Sequence, residues 1–212
     1  MKNIYAVIGA GGCGRSIMPV VKNNNGKNNQ YFFIDDYIEK SNINGTELIK
    51  LNKLLDFKES NLNVFIAIAD TNLRYTYYQK VKNHNLIFEN LIAKNSLLMD
   101  EIKIGKGCLI SPFVTLASNI KIGNFFHANL YSYVEHDCQI GNFVTFAPGV
   151  KCNGNVIIED FAYIGSGAII KNGLFNKKIK IGKGSVVGAG SVVIDDVEPY
   201  STVAGVPAKK IK

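Results

Sequence analysis

From residue 92 onward, every sixth residue is apolar or small: Ile92, Leu98, Ile104, Ile110, Leu116, Ile122, Ala128, Val134, Ile140, Phe146, Cys152, Ile158, Ile164 and Ile170. In a chain that is 47% apolar, so long a series does not arise by chance. A short period held over such a length is the mark of a stacked repeat, in which no single unit buries its own apolar face. Three hexapeptides make one turn of a three-sided β-coil, and coils stack at the ~4.8 Å spacing of neighbouring strands. The phase is lost over residues 171–180, "KNGLFNKKIK", and returns at Ile181, Val187 and Val193, so a loop is expected to bulge out at 174–178. Glycine follows the apolar position at Gly105, Gly123, Gly141, Gly165, Gly182 and Gly188. These glycines are expected to relieve tight corners.

The first 90 residues have a different grammar. "NIYAVI" (3–8), "YFFID" (31–35), "VFIAIA" (64–69) and "LIFEN" (86–90) read as strands. Between them, helices are expected from Gly14 or Arg15 to about Asn23, over 47–55 behind a Thr46 cap, and after a Thr71 cap. Strands alternating with helices imply a small, Rossmann-like parallel sheet. The expected organisation is therefore an α/β domain over 1–90 followed by an all-β repeat domain over 91–212.

After the first strand comes "GAGGCG", in which Gly9, Gly11 and Gly14 form GxGxxG, with Asp35 and Asp36 at the end of the second strand. Such a loop suits a dinucleotide, whose phosphates meet backbone N–H groups while a carboxylate meets a ribose. A repeat domain fills the rest of the chain and leaves no ordinary dehydrogenase substrate domain. The bland alternative is that the glycines only permit a tight strand-to-helix turn.

"YVEHDCQIG" (133–141) holds one of three histidines, His136, between Glu135 and Asp137. Val134 and Ile140 are consecutive inward rungs, which places His136 on the segment between them. It reads either as a polar corner or as a general base whose tautomer an adjacent carboxylate fixes. His127 is expected to be structural or peripheral and His84 to lie in a surface helix or turn. Cys13, Cys108, Cys138 and Cys152 show neither CxxC spacing nor, with the histidines, a zinc-ligand pattern, so reduced thiols and no metal are expected. The net charge of +7 comes from dispersed lysines. Solvated lysines are the plain account and an acidic small molecule, such as a phosphorylated substrate or coenzyme, the alternative; nothing specific points to nucleic acid. No run is long and apolar enough for a membrane span, and a cytoplasmic protein is expected.

The ladder and the ending "VAGVPAKKI" (203–211) resemble the left-handed β-helix acyltransferases. More narrowly, "IGAGGCG", "FIDD", "FIAIADTNLR", "VEHDCQIG", "VKCNGNV" and "AGVPAKK" together resemble the bacterial nucleotide-sugar 4-amino N-acetyltransferases and the related sialic acid O-acetyltransferases. The resemblance implies left-handed winding, acetyl-CoA as cosubstrate, and a homotrimer with active sites between subunits. It implies His136 as the base and Asp137 as its orienter. Gly11, Gly12, Cys13, Asp35, Asp36, Ala69 and Asn129 would contact the nucleotide sugar. Thr145, Gly154, Ser166, Gly188 and Ala189 would lie along the coenzyme. Relatives often carry histidine where Cys13 and Thr145 stand here. The expected reaction is N-acetylation of a nucleotide-linked 4-amino-4,6-dideoxy sugar. The alternatives are O-acetylation of a sugar hydroxyl, a non-catalytic sensor on a trimerisation scaffold, and an NAD-dependent enzyme.

Overall fold

The computed structural model describes residues 3–57 and 61–212, and the chain divides into two compact units, Met1–Leu91 and Ile92–Lys212. The first unit is a five-stranded sheet with helices. Its elements are β1 (Ile4–Ile8), α1 (Gly12–Asn25), β2 (Gln30–Ile34), β3 (Asn42–Ile43), β4 (Thr46–Ile49), α2 (Leu51–Leu55), β5 (Leu62–Ile66) and α3 (Thr71–Val81). The strand order is β3-β4-β2-β1-β5. All five residues of β1 are buried, as a central parallel strand requires.

Three local expectations are corrected. Thr46–Ile49 is a strand, paired in parallel with β2, and only Leu51–Leu55 is helical. Thr46, Leu48 and Ile49 are buried while Glu47 is exposed, so sheet pairing overrides the helical spacing of "ELIKLNKLL". The cap of α3 is Asp70, whose Oδ1 accepts from the Leu73 N–H at 2.7 Å. "LIFEN" contributes a single bridge, Ile87 to Asn63, and no strand.

The second unit is a three-faced stack of short parallel strands. One face is built by Leu97–Leu98, Thr115–Leu116, Tyr133–Val134, Lys151–Cys152, Ile169–Ile170 and Val192–Val193, in that spatial order. The two other faces repeat the scheme six residues earlier and later, and up to the insertion each strand pairs with the one eighteen residues on (Thr115↔Tyr133, Lys121↔Gln139, His127↔Thr145), whereas across it the partners lie further apart in sequence (Val156↔Ile179, Tyr163↔Val186). From Ile110 to Ile170 every predicted rung is fully buried, Ile181, Val187 and Val193 rejoin the same core, and Ile92, Leu98 and Ile104 pack against it part-buried. A buried aliphatic rung stabilises by about 1.5–3 kcal/mol, so the core is a sum over coils rather than one cluster. The stack ends with an antiparallel strand, Lys209–Lys210, against Thr202–Ala204.

The corners differ from expectation. Every sixth residue from 101 to 167 lies in the left-handed region, with φ between 54° and 74° across the coils, and most of these residues are not glycine: Glu101, Phe113, Asn119, Phe125, Tyr131, Asp137, Phe143, Asn155 and Phe161. The predicted corner glycines precede this position by two residues and do not have positive φ. Gly123 is needed for close approach instead, since a Cβ there would sit 2.7 Å from the Gly141 carbonyl carbon. A left-handed L-residue costs about 1–2 kcal/mol. On one corner that strain is offset by a column of parallel rings, Phe125, Phe143 and Phe161, with centroids 4.9 and 5.4 Å apart.

Candidate active site

Val134 points into the core, and the chain then turns a corner through Glu135, His136 and Asp137. Asp137 holds the left-handed position, with φ 60°. This conformation brings its carboxylate back onto its neighbour: Asp137 Oδ2 lies 2.8 Å from His136 Nδ1. Both side chains are about half exposed. The hydrogen bond to Asp137 raises the imidazole pKa above its ordinary 6.5, slight burial opposes it, and the charges of Asp137 and Glu135 and the Cys138 sulfur add to the rise. With Nδ1 committed to Asp137, Nε2 is the ring nitrogen left to exchange a proton.

Below the ring is Gly154, one coil on. A Cβ there would fall 2.7 Å from both Cε1 and Nε2 of His136, so the imidazole occupies the space that glycine leaves. Beside it, Tyr133 Oη donates to Asn153 Oδ1 at 2.9 Å, and Asn153 Nδ2 donates to the Ile170 carbonyl. Lys178, from the phase-breaking insertion, donates its ammonium to the Asp137 main-chain carbonyl at 2.6 Å. The sequence marked the insertion but gave no sign of where Lys178 reaches. The Tyr133–Asn153 pair, twenty residues apart, would have emerged only by writing the coils beneath one another.

The other expected site residues do not gather on this corner. Asn129 lies at the opposite edge of the face that carries Tyr133–Val134, and its Nδ2 donates to the Phe146 carbonyl at 2.7 Å. Ser166, Gly188 and Ala189 share that far edge on later coils, where Gly190 N–H donates to the Ser166 carbonyl. Thr145 is fully buried in register between His127 and Tyr163, so its hydroxyl offers no coenzyme contact on the surface of this unit. His127 is buried, as a structural histidine would be, and His84 is exposed just after α3.

In the first unit, Gly9 has φ +95°, and a Cβ at Gly14 would fall 1.8 Å from the Gly9 carbonyl oxygen. Turn and packing therefore account for those two glycines. They do not account for Gly11 and Gly12, where an added Cβ would meet nothing within 4 Å. Gly11 is the N-cap of α1 and supplies no capping side chain, which leaves the helix N-terminus open. Cys13 is partly exposed at this terminus; burial pushes its thiol pKa up, and the nearby Arg74 charge opposes the rise.

The two aspartates are committed to the loops themselves. Asp35 Oδ2 accepts from Ala10 N–H at 3.1 Å, and its Oδ1 accepts from Tyr37 and Ile38 N–H. Asp36 Oδ1 accepts from Leu51 N–H at 2.9 Å, which caps α2. Arg74 was not singled out from the sequence. It is fully buried on α3 and holds the carbonyls of Ile68 and Ala69 at 2.6 and 3.3 Å. Ala69 thus contributes a fixed backbone rather than a side chain. Among the described residues, no group of three or more His, Cys, Asp or Glu is arranged to hold a metal, and no helix is long and apolar enough to cross a membrane.

Residues 5–81 match the family described as the PglD N-terminal domain. The whole chain is 43% identical to GDP-perosamine N-acetyltransferase of Escherichia coli O157:H7, covering 99% of this chain and 97% of that one. Among solved structures, WeeI from Acinetobacter baumannii AYE superposes with TM-score 0.96 at 43% identity, over 99% of this chain and all of its own. PerB from Caulobacter crescentus, solved in complex with CoA and GDP-perosamine, shares the fold with TM-score 0.88 at 23% identity, over all of this chain and 98% of its own.

Proposed function

The chain belongs to the bacterial nucleotide-sugar N-acetyltransferases and is an acyltransferase; from that premise we propose that it transfers the acetyl group of acetyl-CoA to the 4-amino group of a nucleotide-linked 4-amino-4,6-dideoxy sugar, with GDP-perosamine the first substrate to test. The observation that carries the mechanism is the exposed His136–Asp137 pair at 2.8 Å with the ring seated over Gly154. The sugar amine attacks the thioester carbonyl, a C–N bond forms, and the C–S bond breaks. His136 Nε2 takes the proton that the amine loses, Asp137 holds Nδ1–H, and the departing thiolate recovers a proton to leave as CoA thiol. A thioester is already activated, so no covalent enzyme intermediate is needed.

In this reading residues 1–90 hold the nucleotide and 91–212 carry the coenzyme and the chemistry. The open N–H groups at Gly11 and Gly12 meet the diphosphate at the start of α1, with Cys13 beside them. Asp35, Asp36 and Arg74 shape that pocket by fixing its loops. The stack winds left-handed, as in the acyltransferases it resembles. Gly154 stands beside His136, whereas Asn129, Ser166, Gly188 and Ala189 lie at the other edge of the same face. One site drawing on both edges is most simply completed by adjacent copies in a homotrimer, with the coenzyme between them.

The test is thiol release from acetyl-CoA against a panel of nucleotide 4-amino sugars and sialic acids. GDP-perosamine should be turned over, and His136→Ala and His136→Asn should lose kcat by about 10²–10⁴ while still binding CoA. Turnover of a sialic acid and of no amine would move the assignment to O-acetylation. Near-normal turnover by either His136 variant would remove the base.

A further inference from the structure

We propose that Lys178 is a positioning residue for the His136–Asp137 pair, and that the insertion at 171–180 serves to carry its ammonium to the corner on which that pair stands. The inference rests on the reading of His136 as the base.

The corner has a repeating backbone pattern. Each left-handed residue sends its N–H to the carbonyl that precedes the left-handed residue one coil earlier: Asn119 to Asp100, Asp137 to Ser118, and Asn155 to His136. Gly173 continues the row onto Gly154. The carbonyl of the left-handed residue itself stands outside this ladder. At Asp137 that carbonyl is taken by Lys178 Nζ at 2.6 Å, across 41 positions of sequence.

The insertion is anchored so that Lys178 arrives there. Its tip is closed by reciprocal backbone bonds between Leu174 and Lys177, at 2.9 and 3.1 Å. Its stem is tied on one side by Gly173 N–H to Gly154 and on the other by Ile179 N–H to Asn155, the residues of the coil next to His136. At Gly173 a Cβ would fall 2.9 Å from the Lys178 Cα, so the path leaves no room for a side chain there. The tip itself is solvent-facing, with Phe175 90% exposed. Beside those two backbone bonds, the lysine is the side chain of the insertion that reaches Asp137 itself.

The consequence is geometric. Asp137 must keep φ near 60° for its carboxylate to reach His136 Nδ1, a backbone state in which an L-residue is strained. A charge-assisted hydrogen bond on its carbonyl adds to the backbone bond of its N–H to Ser118 in holding that state. The titratable groups around the imidazole are Glu135 and Asp137 on its own corner, the buried Cys138 with its neighbour Cys152, and Lys178 from the insertion. If the strap is cut, Asp137 relaxes, the hydrogen bond to Nδ1 loosens, and the imidazole returns toward its ordinary pKa.

The experiment compares Lys178→Met, Lys178→Arg and the exposed neighbour Lys177→Met by steady-state kinetics and by NMR titration of the three histidines. In Lys178→Met, kcat should fall at least tenfold with little change in either KM, and the His136 titration should move to lower pH. Lys178→Arg keeps the donor and should recover most of both, and Lys177→Met should match the wild type. If Lys178→Met does not fold, Lys178→Gln, which removes the charge and shortens the reach, is read by the same two criteria. A Lys178→Met or Lys178→Gln enzyme with wild-type kcat and an unmoved His136 titration overturns the proposal, even if its Tm is lower, because Lys178 would then only anchor the loop. If His136→Ala retains turnover, the base assignment fails instead, while the titration still reports whether the strap exists.

Discussion

Replacing Gly154 with alanine tests the site at its most constrained contact. The new Cβ would lie 2.7 Å from His136 Cε1 and Nε2 and 3.1 Å from Cδ2. Ordinary carbon contacts are about 3.5–4.0 Å, so about 1 Å of overlap must be relieved. The Gly154 backbone does not yield easily, because its carbonyl accepts the Gly173 N–H at 2.9 Å. The imidazole is half exposed and yields first. Stability should therefore hardly change, and the restricted unfolded chain even contributes about 0.4–1 kcal/mol in favour of alanine. Catalysis should suffer, because a shift of about 1 Å in a reacting group costs roughly 10²-fold, or about 2.7 kcal/mol in the barrier. The swing also breaks the Asp137 hydrogen bond that raises the imidazole pKa. A base must be neutral, so activity rises with pH through that pKa. The acid limb of kcat/KM, set above 6.5 in the wild type, should move down in the variant. The assay is thiol release across pH, beside a thermal melt. A variant with kcat within threefold of wild type, or one that loses activity with an unmoved acid limb, would refute the placement of the ring over Gly154 as the catalytic arrangement.

Three further expectations follow from other contacts. Gly11→Ala adds a Cβ into open space, so Tm should be unchanged while KM for the nucleotide sugar rises; Gly14→Ala drives a Cβ to 1.8 Å from the Gly9 oxygen and should destabilise the first unit, visible as a separate, earlier melt. Phe143→Ala removes the middle ring of the Phe125–Phe143–Phe161 column and should cost about 3–5 kcal/mol by denaturant titration, without changing the His136 pH profile.

The ladder was legible because inward rungs obey a simple rule, apolar every six residues, and burial enforces it from Ile110 to Ile170. The left-handed corners were not, because they carry Phe, Tyr, Asn, Asp and Glu as well as glycine. Their strain is compensated by contacts with other coils, such as the stacked phenylalanines, which leave no mark in a single hexapeptide. In the first unit, β1 and α1 were readable from an unbroken apolar run followed by glycines. Thr46–Ile49 was misread because its periodicity suits a helix and only the partner β2 makes it a strand. At the site, His136 and Asp137 are adjacent in sequence and so were visible together. Lys178 and Asn153 reach that corner through folding, and the jobs of Asp35 and Asp36 depend on backbone N–H groups that no motif records.

The antiparallel strand at Lys209–Lys210 bears on how such a stack ends. A parallel coil repeating every eighteen residues has no natural length: its last rung offers the same row of donors and acceptors that every earlier rung offered to its successor. Left bare, that rung is a template for the first rung of another molecule, and chains would thread end to end into fibres. On one of the three faces the last parallel rung, Thr202–Ala204, is covered by a strand running the other way and bearing two exposed lysines. An incoming chain would meet the wrong polarity and like charge, since this protein carries a net +7. On that face the strand thus closes an edge that would otherwise invite a further strand.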